Sequence, residues 1–203
     1  MKLGFVVALG LVIAAGVGAL AAATEGFQVV TSEGARRLAI EQSPRQIANV
    51  ALIDQDGAKF SLDDYRGKIV LVEFIYTNCA TLCTVLGDGF ERIEHTPRPD
   101  GRRNVALLSI SFDIARDRPA DLKSYGERYG ASGPGWRIAV PASAAELAYL
   151  KRAFGLVVIP DGYGGFIHNA AVYVLDRQSR LVRILDPAAA ERAVEQADAA
   201  PTS

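Results

Sequence analysis

Residues 68–83 read KIVLVEFIYTNCATLC. After Lys68 the run to Tyr76 is β-branched and aromatic, with Glu73 its one charged interruption, which predicts a strand buried on both faces. From Cys79 to about Glu94 the pattern turns helical, so the strand hands over to a helix at two cysteines in a CxxxC spacing. α/β folds commonly build sites at such a junction, and a helix N-terminus carries partial positive charge that favours thiolate. At i and i+4 of an ideal helix the two Cβ atoms lie roughly 5–6 Å apart, whereas a disulfide wants about 3.5–4.5 Å. A Cys79–Cys83 disulfide therefore requires an unwound first turn and is readily reduced. The same two thiolates make a pair of soft ligands suited to Cu(I) or Zn.

Outward from this stretch the chain alternates. On the N-terminal side, Ile47–Ile53 predicts a short strand, residues 54–57 (DQDG) a turn, and Leu62–Gly67 one helical turn ended by its glycine. On the C-terminal side, Val105–Phe112 predicts a second buried strand, Arg118–Tyr129 a helix with Pro119 in its first turn, and Trp136–Val140 a further strand. Ser143 and Glu146 suggest a capping box opening a helix that carries Leu147, Leu150 and Phe154 on one face and stops at Gly155. A glycine-rich loop surrounds Tyr163 at Gly162–Gly165. Strands at Ala170–Leu175 and Leu181–Leu185 form a hairpin, and an alanine-rich helix runs from Pro187 to about Ala199. The order β-β-α-β-α-β-α-β-β-α argues an α/β sandwich, a mixed central sheet flanked by helices.

The chain has 203 residues, enough for one domain plus an appendage. Lys plus Arg total 22 against 23 Asp plus Glu, a net charge of -1 that offers no footprint for nucleic acid. Two cysteines exclude an iron–sulfur cluster and a four-thiolate zinc site. The one methionine is the initiator, so no thioether is available as a soft ligand elsewhere. Behind Met1-Lys2, Leu3–Ala23 is uncharged and ends in Ala21-Ala22-Ala23, an A-x-A cleavage pattern. It reads as an export signal or a retained membrane anchor, near the roughly 20 residues a span requires. Either way the remainder lies outside the cytoplasm, soluble or tethered, where thiols can be oxidised. Residues 24–46 read as a polar linker with Ser43-Pro44, and residues 47–199 as the folded domain.

Histidine is scarce, with 2 copies. His168 follows the glycine loop, just ahead of the strand at Ala170–Leu175, where it can face the end of a neighbouring strand bearing the cysteines. A hydrogen-bonded loop histidine is the alternative. His95, in HTPRPDG, reads as a solvated surface residue.

Taken in order, GAKFSLDDYRGKIVLVEFIYTNC, the CxxxC at Cys79 and Cys83, SFDIARDRPADLKSYGERYG, GWRIAV, LKRAFGL and IHNAAVYVLDRQSRLVRI resemble the SCO/SenC family over roughly Ile47–Asp186. The resemblance implies a thioredoxin-like fold and copper, Cu(I) or Cu(II), bound by the two cysteines and one distant histidine. These carry over onto Cys79, Cys83 and His168, with Asp113 as an outer-shell candidate or, alternatively, a turn-capping residue. It also implies delivery of copper to the copper-bearing subunit of cytochrome c oxidase, or reduction of that subunit's cysteines, at the periplasmic side of the inner membrane. Another copper carrier or a thiol reductant is a further implied partner. Where the family usually has proline after each cysteine this chain has Ala80 and Thr84, and Asn169 replaces the usual Ser or Thr after the histidine. Thioredoxin-like oxidoreductases combine CxxC with a cis-proline facing it; here the spacing is wider and no proline lies between Gly162 and Asp186. The expectation is a non-enzymatic metallochaperone, with a thiol–disulfide oxidoreductase acting on exported proteins as the alternative.

Overall fold

The computed structural model describes residues 2–23, 31–79, 82–96, 105–131, 135–187 and 189–190; within these, the side chains at 2, 3, 6, 21, 23 and 82–85 stand outside the description. The chain divides into two units, residues 1–43 and 44–203. In the first, α1 (Lys2–Ala23) is one continuous 22-residue helix. Its fully described stretch runs only from 7 to 20, and among the described residues no helix is long and apolar enough to cross a membrane. The polar lead-in is not a linker throughout. Ser32–Gln42 forms α2, capped by Thr31, whose hydroxyl accepts from the Gly34 amide at 3.0 Å. Glu33 pairs with Arg36 and Arg37 one turn on; local capping and i,i+3/i+4 charge pairs give this sequence a helical solution its low apolarity conceals.

In the second unit, β1 (Arg45–Gln46) and β2 (Ala51–Asp54) lead into β3 (Lys59–Ser61). The β2–β3 turn is held by Asp54, whose Oδ1 accepts from Asp56 and Ala58, while Gly57 takes φ +78°. After a 3-10 turn at Leu62–Tyr65 come β4 (Ile69–Ile75), α3 (Leu82–His95), β5 (Val105–Ser111), α4 (Pro119–Arg128), β6 (Trp136–Pro141) and α5 (Ala144–Phe154). Then follow β7 (Val158–Pro160), β8 (Phe166–His168), β9 (Val172–Leu175) and β10 (Arg180–Leu185). Of the expected last helix, positions 187, 189 and 190 are helical and the remainder lies outside the described residues. The capping box at α5 is half formed: Ser143 accepts from the Glu146 amide, but the Glu146 carboxylate accepts from the Ala51 amide instead.

The main sheet has eight strands in the order β1-β10-β9-β4-β5-β6-β2-β3. β4 runs parallel to β5 and β5 to β6, and the other neighbours pair antiparallel. Register assigns the faces, since residues side by side across a ladder point the same way. Leu71, Leu107 and Trp136 align, and the Trp136 ring meets Phe90 of α3 at 5.7 Å. Phe74 is of opposite parity and packs with Phe154 of α5 and Tyr173 of β9 at 5.2–5.6 Å. Helices thus cover both faces, which is why β4 is buried from Val70 to Ile75 and reads without alternation. Each of these large side chains contributes roughly 1.5–3 kcal/mol on burial. β7 and β8 form a separate two-stranded sheet.

Candidate metal centre

The cysteine half of the site grows from the exit of β4. Past Ile75, Thr77 is caught by Asp117, a buried carboxylate that accepts from the Thr77 amide at 2.9 Å and its hydroxyl at 2.7 Å. Asp117 also accepts from the Ser111 hydroxyl at the end of β5. The Cys79 amide then donates to the Tyr76 carbonyl at 3.2 Å, closing a turn. Cys79 is buried at 6 % exposure. Cys79 is itself not helical, and α3 as described runs from Leu82 with Cys83 next in it. The expectation of a helix from Cys79 is corrected here. The tertiary grip of Asp117 on Thr77 and the turn closed by the Tyr76 carbonyl hold Cys79 itself outside helical conformation.

The histidine half is a hairpin. His168 does not stand at the entrance of β9, as the sequence suggested; it is the last residue of β8, paired with Val158. The pleat sends His168 inward, to 6 % exposure, and Ile167 outward. Its imidazole lies edge-on to Phe112 at 5.0 Å and to Tyr76 at 6.4 Å. Tyr76, Phe112 and Phe166 contact one another at 5.3–5.5 Å, a ring cluster against which the imidazole sits. Tyr76 joins the halves: its carbonyl closes the cysteine turn and its ring faces His168.

Both ring nitrogens of His168 are buried without a hydrogen-bond partner. A buried polar atom left so costs about 1–3 kcal/mol. Burial holds the imidazole pKa below its ordinary 6.5; the Asn169 backbone, short of hydrogen-bond geometry, opposes this only in part. The ring is therefore held neutral, the form that donates a lone pair to a metal. A buried thiol, a second cysteine at the helix start and a neutral imidazole are a donor set of the soft and borderline kind that accepts Cu(I). Among the described residues no cluster of three His, Cys, Asp or Glu forms a metal site, the Cys83 side chain lying outside them.

Asp113 is buried, and its carboxylate pairs with Arg116. Its carbonyl accepts from the Arg116 and Asp117 amides, which closes its own turn. Asn169 ties down the hairpin: its Oδ1 accepts from the Val157 amide at 2.8 Å and its Nδ2 donates to the Gly155 carbonyl at 3.0 Å. His95 is exposed at the end of α3, as expected. The sequence reading missed Thr77, Asp117, Arg116 and the ring cluster. The signal available was Ser109 and Ser111, two hydroxyls on an otherwise apolar buried strand, which required polar partners.

The sequence model of the SCO1/SenC family matches residues 39–200. The SCO1 protein homolog of Bacillus subtilis is 26 % identical over 132 residues, 64 % of this chain and 68 % of that protein. Among solved structures, Arabidopsis thaliana ScoI with copper bound is similar at TM-score 0.63 and 17 % identity, over 73 % of this chain and 95 % of that one. BsSco, described with a disulfide switch as a member of the Sco family of cytochrome c oxidase assembly proteins, is similar at TM-score 0.63 and 20 % identity, over 78 % and 96 %. At these identities the two structures speak for the fold, which is thioredoxin-like. With the family model spanning nearly all of the second unit and the fold agreeing, the chain belongs to the SCO1/SenC family.

Proposed function

We propose that this protein is a copper-binding metallochaperone that carries the ion between Cys79, Cys83 and His168 and delivers it to the copper-bearing subunit of cytochrome c oxidase. The observation that carries the reading is His168, buried with both nitrogens unpartnered beside the residue that shapes the cysteine turn. Copper is cargo here rather than a resident cofactor. Three ligands suit the low coordination of Cu(I), whereas structural zinc takes four. The copper-bound Sco relative and the family's link to oxidase assembly support the reading. The apolar helix Lys2–Ala23 supports export, with retention as an anchor or cleavage as its two forms, at the periplasmic side of the inner membrane.

A second reading, thiol exchange with the acceptor's cysteines, is favoured by one feature. Cys79 is itself non-helical, its amide tied to the Tyr76 carbonyl, so the pair is not two residues inside one ideal helix. Oxidation of the pair releases two protons and two electrons and removes both thiolates, so disulfide formation and metal binding exclude each other.

The test is Cu(I) competition against a chromophoric chelator, with total metal analysis, on the reduced full chain and on Cys79→Ser, Cys83→Ser and His168→Ala. The expected result is one copper per chain and, for each variant, a loss of affinity exceeding the roughly 10–100-fold that outer-shell partners command. Unchanged affinity in His168→Ala removes the histidine from the site. Normal oxidase activity in cells lacking the protein, together with turnover of a disulfide substrate by the purified chain, moves thiol exchange to first place.

A further inference from the structure

The loop between β5 and α4 touches both halves of the site through consecutive residues. Asp117 takes the amide and hydroxyl of Thr77, two residues before Cys79. Arg116 faces the other half: its Nη1 donates to the Gly164 carbonyl at 2.5 Å, and its guanidinium lies 5.1 Å from the Phe166 ring centroid. Its Nε pairs with buried Asp113, which fixes the direction of the fork.

The loop itself is tightly wound. The Asp113 carbonyl accepts two amides, and its amide donates to the Ser111 hydroxyl at 3.1 Å. Arg118 returns to the Ile114 and Ala115 carbonyls, while its amide is capped by Asp121 of α4. The loop is thus anchored to β5 at one end and α4 at the other.

The β7–β8 hairpin, by contrast, belongs to no larger sheet, and a two-stranded hairpin is marginal alone. Its tip is pinned internally by Asp161, which accepts from the Tyr163 and Gly165 amides. Inside the described structure, the side-chain hydrogen bonds that bind segment 161–168 to elements outside the hairpin's own flanks come from Tyr76, which accepts from the Phe166 amide at 3.4 Å, and from Arg116. The Arg116 contact is charge-assisted and therefore the stronger kind.

We infer that Arg116 is a positioning residue for His168: with Asp117 it makes loop 112–118 a bracket that sets the histidine hairpin against the cysteine turn. The inference rests on the copper reading only for its effect on metal affinity. The bracket itself acts in the metal-free protein.

The experiment uses the full chain and two readouts. Amide hydrogen exchange of the reduced, metal-free protein compares residues 158–168 with β4 and β5. In Arg116→Ala the hairpin amides should exchange at least about tenfold faster, with β4 and β5 unchanged, because local opening draws on the least stable element. Arg116→Lys keeps the pairing with Asp113 but lacks the second, coplanar donor for Gly164, and should recover only part of the protection. Cu(I) affinity should fall about 10–100-fold in Arg116→Ala. The double variant Arg116→Ala/His168→Ala should bind no more weakly than His168→Ala alone, since residues acting through one another are not additive. Unchanged hairpin exchange in Arg116→Ala overturns the bracket, and so does an affinity loss that adds fully to that of His168→Ala. If His168→Ala leaves copper binding intact, the histidine's place in the copper site falls, and the exchange data still decide whether the bracket exists.

Discussion

Phe112 and His168 stand edge-on with centroids 5.0 Å apart, the imidazole nitrogens sealed from water and from hydrogen-bond partners. The native state therefore prefers neutral His168, with a pKa below 6.5. The unfolded chain then binds more protons than the native one just below pH 6.5, so the stability due to this residue is present above that value and declines as pH falls beneath it. NMR titration of the metal-free protein should place the His168 ring resonance midpoint below 6.5. Phe112→Ala, which opens the cluster to water, should move the midpoint up towards 6.5 and cost about 3–5 kcal/mol in denaturant unfolding.

Glu73 gives the opposite slope. It is fully buried in β4; Oε1 accepts from the Ser109 hydroxyl, which in turn accepts from the Trp136 indole, and Oε2 has no partner. Burial raises its pKa to about 8, with the Ser109 hydrogen bond opposing. Between the ordinary 4.5 and about 8 the native carboxyl holds a proton that the unfolded chain has lost, so stability falls as pH rises through that window. The slope is at most about 1.4 kcal/mol per pH unit. Glu73→Gln should flatten it. Trp136 is the chain's one tryptophan, and its emission should titrate near pH 8 in the native protein and not in Glu73→Gln.

Asn169→Ser restores the residue usual after the family's histidine and removes both side-chain ties from position 169, to Val157 and Gly155, leaving the backbone bond from the 169 amide to the Val157 carbonyl. A serine hydroxyl is too short to span them. Each lost bond costs about 0.5–1.5 kcal/mol, so the unfolding midpoint should drop, and Val157 should lose exchange protection. An unchanged Val157 rate would show that the Asn169 side chain does not protect that amide.

Gly87 lies in α3 where an added Cβ would stand 2.8–2.9 Å from the Tyr129 ring. Gly87→Ala raises helix propensity yet should destabilise the domain by about 1–3 kcal/mol, because the ring is buried and cannot withdraw cheaply. Adding Tyr129→Leu should recover part of the loss. A net gain in stability from Gly87→Ala alone would mean that α3 can slide away from α4.

Legibility in the sequence followed burial. β4, β5, β6, α4, α5, β9 and β10 stand within a few residues of their expected spans, because each is defined by an apolar run or by a cap such as Ser143 or Pro119. β1 has two exposed residues and no pattern, and exists only because β10 offers a partner. β7 escaped notice because Val157 and Ile159 face solvent and Pro160 ends the strand. For the same reason β8 went unpredicted and His168 read as the entrance of the following strand. The three metal-ligand candidates were legible as motif letters, whereas the non-helical turn at Cys79 was not. That turn is held through Thr77 by Asp117, forty residues further along the chain.

The separation of the two sheets has a temporal meaning. Cys79 follows a strand bonded on both sides within an eight-stranded sheet, so its turn yields only when much of the domain does. His168 rides on an isolated pair of strands that can lift while the rest stays folded. If the chain carries copper as proposed, Cys79 and Cys83 would hold the ion from the rigid half and His168 from the half that can lift, so the imidazole would be the ligand whose distance the fold can vary.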